Sequence, residues 1–299
     1  MMPETFRIAL WSVNLGAEAR SLEAWLERVQ GRALEARAQG ARLLLMPEFV
    51  SEGFLAWKPD GLAQAGEIAW LASQTPAAIE GLRALVDRHG LSIVAGSMPF
   101  ADDSGHTNRT YALLADGRTL TYDKLCLTPP EKNPADLNLT AGRRLTVFEL
   151  EGVRIALLIC LDVELPAISM RLALLAPDLI LVPSMTQQLS GYHRVYGCAK
   201  ARAVELMTSV AVCGTVGVAK GNALQETNVS GAALYVPCEP QLGSDGIAAS
   251  HPPVDGMAGE EPFVIADVPV GVVRRLREGG AEVWPGLWTG DHIEVDFAR

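Results

Sequence analysis

The sequence predicts an α/β fold in which mixed β-sheets are covered by helices. Three observations carry that expectation. Strand-like and helix-like segments alternate along all 299 residues. Short apolar runs flank Asp116-Gly117 and Glu151-Gly152, turn pairs that fold neighbouring strands back as antiparallel hairpins. Continuous apolar runs such as Leu43 to Met46 follow helical segments, as expected of strands buried on both faces and reached through helical crossovers.

The elements follow in order. Phe6 to Val13 reads as a strand. Leu22, Trp25, Leu26 and Val29 recur at helical spacing, and Gly40 marks the stop of that helix. The apolar run Leu43 to Met46 is the second strand. Ile79 to His89 is helical and ends at Gly90; Leu91 to Ala95 is again a strand. Thr110 to Leu114 and Thr119 to Tyr122 form the first hairpin, and Leu145 to Leu150 with Arg154 to Ile159 the second. Ala167 to Leu175 is helical, Leu179 to Val182 a strand, Arg194 to Leu206 a helix and Val210 to Cys213 a strand. Ala232 to Val236 and Phe263 to Asp267 complete the strands, and Val270 to Arg277 is a short terminal helix. Residues 239–260, rich in Gly, Pro, Ser and Asp, read as a surface loop or insertion. One domain, 1–299, is expected. A weak internal echo, ARLLLMPE at 41–48 against PDLILVPS at 177–184, hints at two related halves.

Composition narrows the function. A net charge of −10 without a long basic cluster argues against a nucleic-acid partner. Arg274, Arg275 and Arg277 read as the polar face of a helix. No apolar run approaches the roughly 20 residues of a membrane span, and the first residues lack a basic segment followed by an apolar core. Five cysteines at wide spacing, with no CxxC pair, speak against a disulfide framework or a zinc site and suit a reducing cytoplasm. No metal and no cofactor are expected.

Three reactive residues share one placement. Glu48 follows the buried strand Leu43–Met46, Lys124 follows Thr119–Tyr122, and Cys160 ends Ile155–Ile159. Ligands of helix-covered sheets bind beyond the carboxyl ends of strands, so three such groups have a common place to converge.

These residues sit in LLLMPEF, YDKLCLTPPE and ALLICLDVELP. With GYHRVYGCAKARAVE, FVIADVPVGVVRRLREGG, VAGSMPF and Asn108, the chain resembles the nitrilase superfamily, or carbon–nitrogen hydrolases, in its amidase-like branch. The resemblance implies a four-layer α-β-β-α sandwich around two mixed sheets, and homodimers or higher homo-oligomers. The ARAVELM helix and the tail around Trp284–Trp288 are candidate interface elements. It also implies a chemistry: Cys160 attacks a small amide and forms a thioester, Glu48 moves protons, and Lys124 with the Leu161 backbone N–H faces the oxyanion. Glu131 matches a second glutamate of the family, expected to orient Lys124 or to bind the amide nitrogen. Asp162 and Asn108 fit structural positions. Two departures, Leu161 where an aromatic residue is common and Leu206 where the family has Asn, bear on packing and substrate. The Cys-x-Asp form favours an amide over a nitrile.

Rival readings remain. A Cys–His hydrolase has only His193 to offer, and no G-x-C-x-G elbow surrounds Cys160. No histidine pair has metal-binding spacing. Nitrile hydrolysis, acyl transfer to an amine, and an inactive binding or scaffold member of the fold stay open. Specificity is expected in the loops Ser51–Pro59, Glu131–Asn138 and Met185–His193, where Trp57, Tyr192 and His193 either line a pocket or simply pack.

Overall fold

A computed structural model of the chain describes residues 3–17, 19–222 and 226–297. Its strands are β1 (Phe6–Trp11), β2 (Leu43–Leu45), β3 (Ser92–Asp102), β4 (Gly105–Leu113), β5 (Thr119–Asp123), β6 (Val147–Leu150), β7 (Val153–Leu157), β8 (Leu179–Ser184), β9 (Ser209–Gly214), β10 (Ser230–Tyr235), β11 (Ile247–Val254) and β12 (Phe263–Val268). The α-helices are α1 (Leu22–Ala38), α2 (Glu67–His89), α3 (Pro129–Lys132), α4 (Pro166–Ala173), α5 (Leu189–Glu205) and α6 (Val270–Arg275). Two 3₁₀ turns, Val50–Trp57 and Cys160–Glu164, follow β2 and β7.

The strands form two six-stranded sheets, ordered β12-β1-β2-β3-β4-β5 and β6-β7-β8-β9-β10-β11. Read in that direction, both show the same sequence of pairings: antiparallel, two parallel, two antiparallel. The echo between ARLLLMPE and PDLILVPS therefore has a structural counterpart, because β2 and β8 hold equivalent central places.

Side-chain alternation sorts the layers. Ile8, Leu10, Leu43 and Leu45 meet the second sheet in one core, whereas Ala9, Trp11, Leu44 and Met46 join a second core with Trp25 and Val29 of α1 and Leu71, Leu82 and Val86 of α2. Val195, Tyr196 and Ala199 of α5 pack on the second sheet. Helices thus cover the outer faces of two sheets packed face to face, the layered α/β architecture expected from the sequence. Among the described residues no helix is long and apolar enough to cross a membrane.

Several elements differ from expectation. Helix α2 begins at Glu67 rather than Ile79, because Pro76 lies inside it instead of ending it. Strand β3 runs on to Asp102 and turns into β4, a third hairpin without a strong turn dipeptide. Residues 239–260 include β11, which pairs only with β10. Its Pro252 and Pro253 hid it, and a strand at the sheet edge tolerates proline because one side of its backbone needs no partner. At the terminus, Arg274 and Arg277 bind Asp178 and Arg275 binds Glu4, so the arginine face is tied to the body of the protein.

Candidate active site

The two central strands meet at their carboxyl ends. Glu48 lies just beyond β2, and its backbone N–H donates to the carbonyl of Ser184, the last residue of β8, at 3.2 Å. The neighbouring strand clamps this corner. Ser97 N–H reaches the Pro47 carbonyl at 3.2 Å, and Phe49 N–H reaches Ser97 Oγ at 3.0 Å. The approach requires Gly96, whose φ is +63° and whose place would put a Cβ 1.9 Å from the Pro47 carbonyl oxygen.

Cys160 opens the 3₁₀ turn after β7 in the left-handed region, at φ +45°. A side chain there is strained, and strain of this kind is kept where surrounding contacts over-determine it. Here Asp162 supplies many of them. Fully buried, it accepts from Tyr122 Oη (2.8 Å), Cys126 N (2.7 Å) and Ile159 N (3.2 Å). One carboxylate thus ties the segment carrying Lys124 to the turn carrying Cys160. Lys124 is fixed further by its backbone N–H on the Asn108 carbonyl at 2.9 Å.

The side chains converge. Lys124 Nζ donates to Glu48 Oε1 at 2.8 Å and to both oxygens of Glu131 at 2.9 and 2.8 Å. Three acceptors match the three protons of an ammonium. Glu131 also accepts from Thr128 N, Thr128 Oγ1 and Asn108 Nδ2, five hydrogen bonds in all. Its two oxygens are thus fully occupied as acceptors. Glu48 receives Lys124 and Asn108, both on Oε1, and has the Cys160 thiol as a further hydrogen-bond neighbour. The Cys160 sulfur accepts from Ser184 Oγ at 3.3 Å and lies 3.5 Å from the Met185 carbonyl.

Burial sets the protonation states. It raises the Glu48 carboxyl to about 6, with Lys124 pulling it down and Glu131 pushing it up. Burial, reinforced by Glu48, pushes the Cys160 thiol up to about 12 against the opposing pull of Lys124. The resting group near neutral pH is therefore a thiol, and the N-terminus of α4 beyond it does not reverse that. Burial alone would lower Lys124, but Glu48 and Glu131 outweigh it and hold the ammonium well above the ordinary lysine range.

Glu48, Lys124, Glu131 and Cys160 share one cavity of about 320 Å³. Its wall includes Phe49, Leu161, Glu164, Met185, Gln188, Gly191 and Arg194. The Leu161 N–H, in the first turn after β7, has no acceptor among the described residues.

Trp57, Tyr192 and His193 do not line this cavity. Trp57 packs on Phe54 at the α1/α2 core, ring centroids 4.8 Å apart. Tyr192 stacks on Tyr196 one turn further along α5, at 4.0 Å, and His193 is exposed. The expected helix began at Arg194, whereas α5 begins at Leu189. With the earlier start, Gly191 and Arg194 fall on one face three residues apart, which is the face that meets the cavity. Knowing that start would have given this face from the sequence.

The chain is similar to known proteins in sequence and in fold. Over 196 residues the chain is 29% identical to the probable hydrolase YhcX of Bacillus subtilis (66% of this chain, 37% of that protein). Over 167 residues it is 30% identical to the (R)-stereoselective amidase of a Pseudomonas species (55% of this chain, 56% of that protein). The chain therefore spans little more than a third of the one relative and just over half of the other. A solved structure of a mutant amidase from Nesterenkonia AN1, of the nitrilase superfamily, superposes with a TM-score of 0.69 at 25% identity, covering 91% of this chain and 95% of that one. The family model of the carbon–nitrogen hydrolases matches residues 7–243, most of the sequence, and the chain belongs to that family.

Proposed function

We propose that the protein hydrolyses a small carboxamide to a carboxylate and ammonia, with Cys160 as nucleophile, Glu48 as general base and acid, and Lys124 as electrostatic stabiliser. One observation carries this reading: a thiol, a carboxylate raised toward neutrality and a buried ammonium wall the same 320 Å³ cavity.

Because the resting thiol is protonated, attack and proton transfer belong to one step. The Cys160 proton passes to Glu48 as the sulfur–carbon bond forms at the amide carbonyl. The carbonyl oxygen becomes an oxyanion facing Lys124 and the Leu161 N–H. All three Lys124 protons are engaged at rest, so it acts through its charge, or one of its two bonds to Glu131 yields. The carbon–nitrogen bond then breaks, the nitrogen takes the proton held by Glu48, and ammonia leaves a thioester. Water gives a proton to Glu48 and attacks the thioester; the carbon–sulfur bond breaks and the sulfur recovers its proton. Glu131, saturated with donors, orients Lys124. The amidases among the relatives, together with Cys-x-Asp after β7, support an amide over a nitrile.

The test is ammonia release from a panel of carboxamides, with intact-mass detection of an acyl adduct on Cys160. A substrate turned over without passing through such an adduct, as shown by trapping at several times in the first turnover, overturns the mechanism. The pH profile follows from Glu48. Its basic form is needed to take the thiol proton, so kcat/KM should fall as pH drops through about 6. A limb in the ordinary glutamate range would contradict the burial argument.

We also propose that the protein is a cytoplasmic homodimer. All five cysteines are free thiols, as a reducing compartment favours. An apolar groove of about 780 Å³ runs between α4, the end of α5 and residues 283–288. Met170 and Leu174 of α4, Val204 of α5, and Leu287 and Trp288 are exposed along it. A second copy covering this face removes them from water. Light scattering should give twice the 32.0 kDa of the chain, and Leu174→Glu should lower it toward one chain; a parent protein already at 32.0 kDa refutes the dimer.

A further inference from the structure

Asn108, on β4, is fully buried, and its side-chain nitrogen lies 2.9 Å from Glu48 Oε1 and 3.1 Å from Glu131 Oε1. Lys124 Nζ reaches the same two oxygens at 2.8 and 2.9 Å. The four groups close a ring in which two donors alternate with two carboxylate oxygens. Its geometry has a consequence for Glu48. The last torsion of a glutamate is soft, so one lysine contact leaves the carboxylate free to turn. Two donors on one oxygen, from opposite sides of a ring, oppose that turn. Both donors take Oε1, which leaves Oε2 as the oxygen open to the Cys160 thiol.

The other end of Asn108 points the same way. Its Oδ1 is buried without a hydrogen-bond partner. A buried acceptor without a donor is a standing cost. An asparagine kept only to fill space would avoid it by being apolar, whereas the two donors on its nitrogen explain why an amide stands here.

We propose that Asn108 is a positioning residue for Glu48: by closing the ring it fixes which carboxylate oxygen faces the thiol and holds that carboxylate in its proton-accepting form. The inference rests on Glu48 acting as the base for Cys160. An N–H bonded to a carboxylate favours the charged form, so removing it makes the base harder to deprotonate and moves its titration to higher pH.

The test needs no known substrate. Iodoacetamide alkylates Cys160: a sulfur–carbon bond forms, iodide leaves, and the thiol proton goes to Glu48. The rate at Cys160, read by peptide mass spectrometry, is measured against pH for the parent, Glu48→Gln, Asn108→Leu and Asn108→Asp, with folding checked by circular dichroism. The parent rate should rise through about 6. In Asn108→Leu the rise should move up by about one pH unit. Asn108→Asp keeps the shape, adds a third carboxylate and should move it further the same way; it decides the matter if the leucine variant does not fold. A residue that merely supports the fold would lower the rate without moving the rise, and an unmoved rise in a folded variant overturns the proposal. If Glu48→Gln alkylates as fast as the parent, the underlying assignment of the base fails instead.

Discussion

Replacing Cys160 with alanine should abolish ammonia release from any carboxamide the parent turns over, by about a millionfold in kcat. That is the scale seen when the nucleophile of a covalent hydrolase is deleted and only binding and oxyanion contacts remain. Of the carboxylates beside Cys160, Glu131 already accepts five hydrogen bonds, and Glu48 is held at Oε1 by Lys124 and Asn108. Water attacking the amide directly would have to expel an amine instead of a thiolate. The cavity itself should survive, because the sulfur's contacts to Ser184 and Met185 are long, at 3.3 and 3.5 Å. Calorimetry should therefore show the variant still binding the amide. Parent-like turnover by Cys160→Ala would remove the nucleophile from this account.

Replacing Lys124 with methionine should damage both activity and stability. The ammonium is buried with Glu48 and Glu131, each within 2.9 Å. Methionine fills much of the same space but leaves two buried carboxylates with no countercharge. Breaking a buried ion pair on one side costs about 3–5 kcal/mol. The loss should depend on pH, with a definite sign. Glu48 already sits above its ordinary 4.5, and without Lys124, which pulls it down, it rises further. A folded state that holds a proton the unfolded chain has released loses stability as pH climbs from the unfolded value through the folded one. The variant should thus approach the parent in melting temperature near pH 4 and fall furthest behind at neutral pH. Activity should fall at least about a thousandfold, as for the loss of an oxyanion donor, with charge stabilisation lost as well. A variant with the parent's melting curve at pH 7 would show that the ammonium is not the countercharge it is taken to be.

Much of the site was legible because it is local. PE after a buried strand, DK after a hairpin strand and C-x-D after another each announce a polar group at a strand end. The alternation of Leu43 to Met46, two side chains to each core, follows from period two alone. Asp162 was readable as a partner of nearby backbone, and it does bind Ile159 N, but its contacts to Tyr122 and Cys126 cross 40 and 36 residues. Asn108 was readable only as a position: nothing within its own strand says that its amide meets two carboxylates 60 and 23 residues away.

The misplaced pocket residues show the same limit from the other side. Trp57, Tyr192 and His193 have the right chemistry for a pocket, yet a helix that starts five residues earlier turns two of them away, and a core aromatic claims the third. Edge strand β11 was hidden by prolines that only an unpaired edge permits.

By itself, then, the sequence determined the alternation of strands and helices, the two-sided burial of β2 and β8, and the three reactive residues at strand ends, because each depends on neighbours a few positions away. The tertiary structure alone decided that the two sheets meet where Glu48 N–H reaches the Ser184 carbonyl, that Asn108 closes the ring, and that burial raises the Glu48 carboxyl toward neutrality. Those outcomes rest on hydrogen bonds and burial between segments far apart in the chain, and the energy of a proton on a carboxylate is set by what surrounds it rather than by where it stands in the sequence.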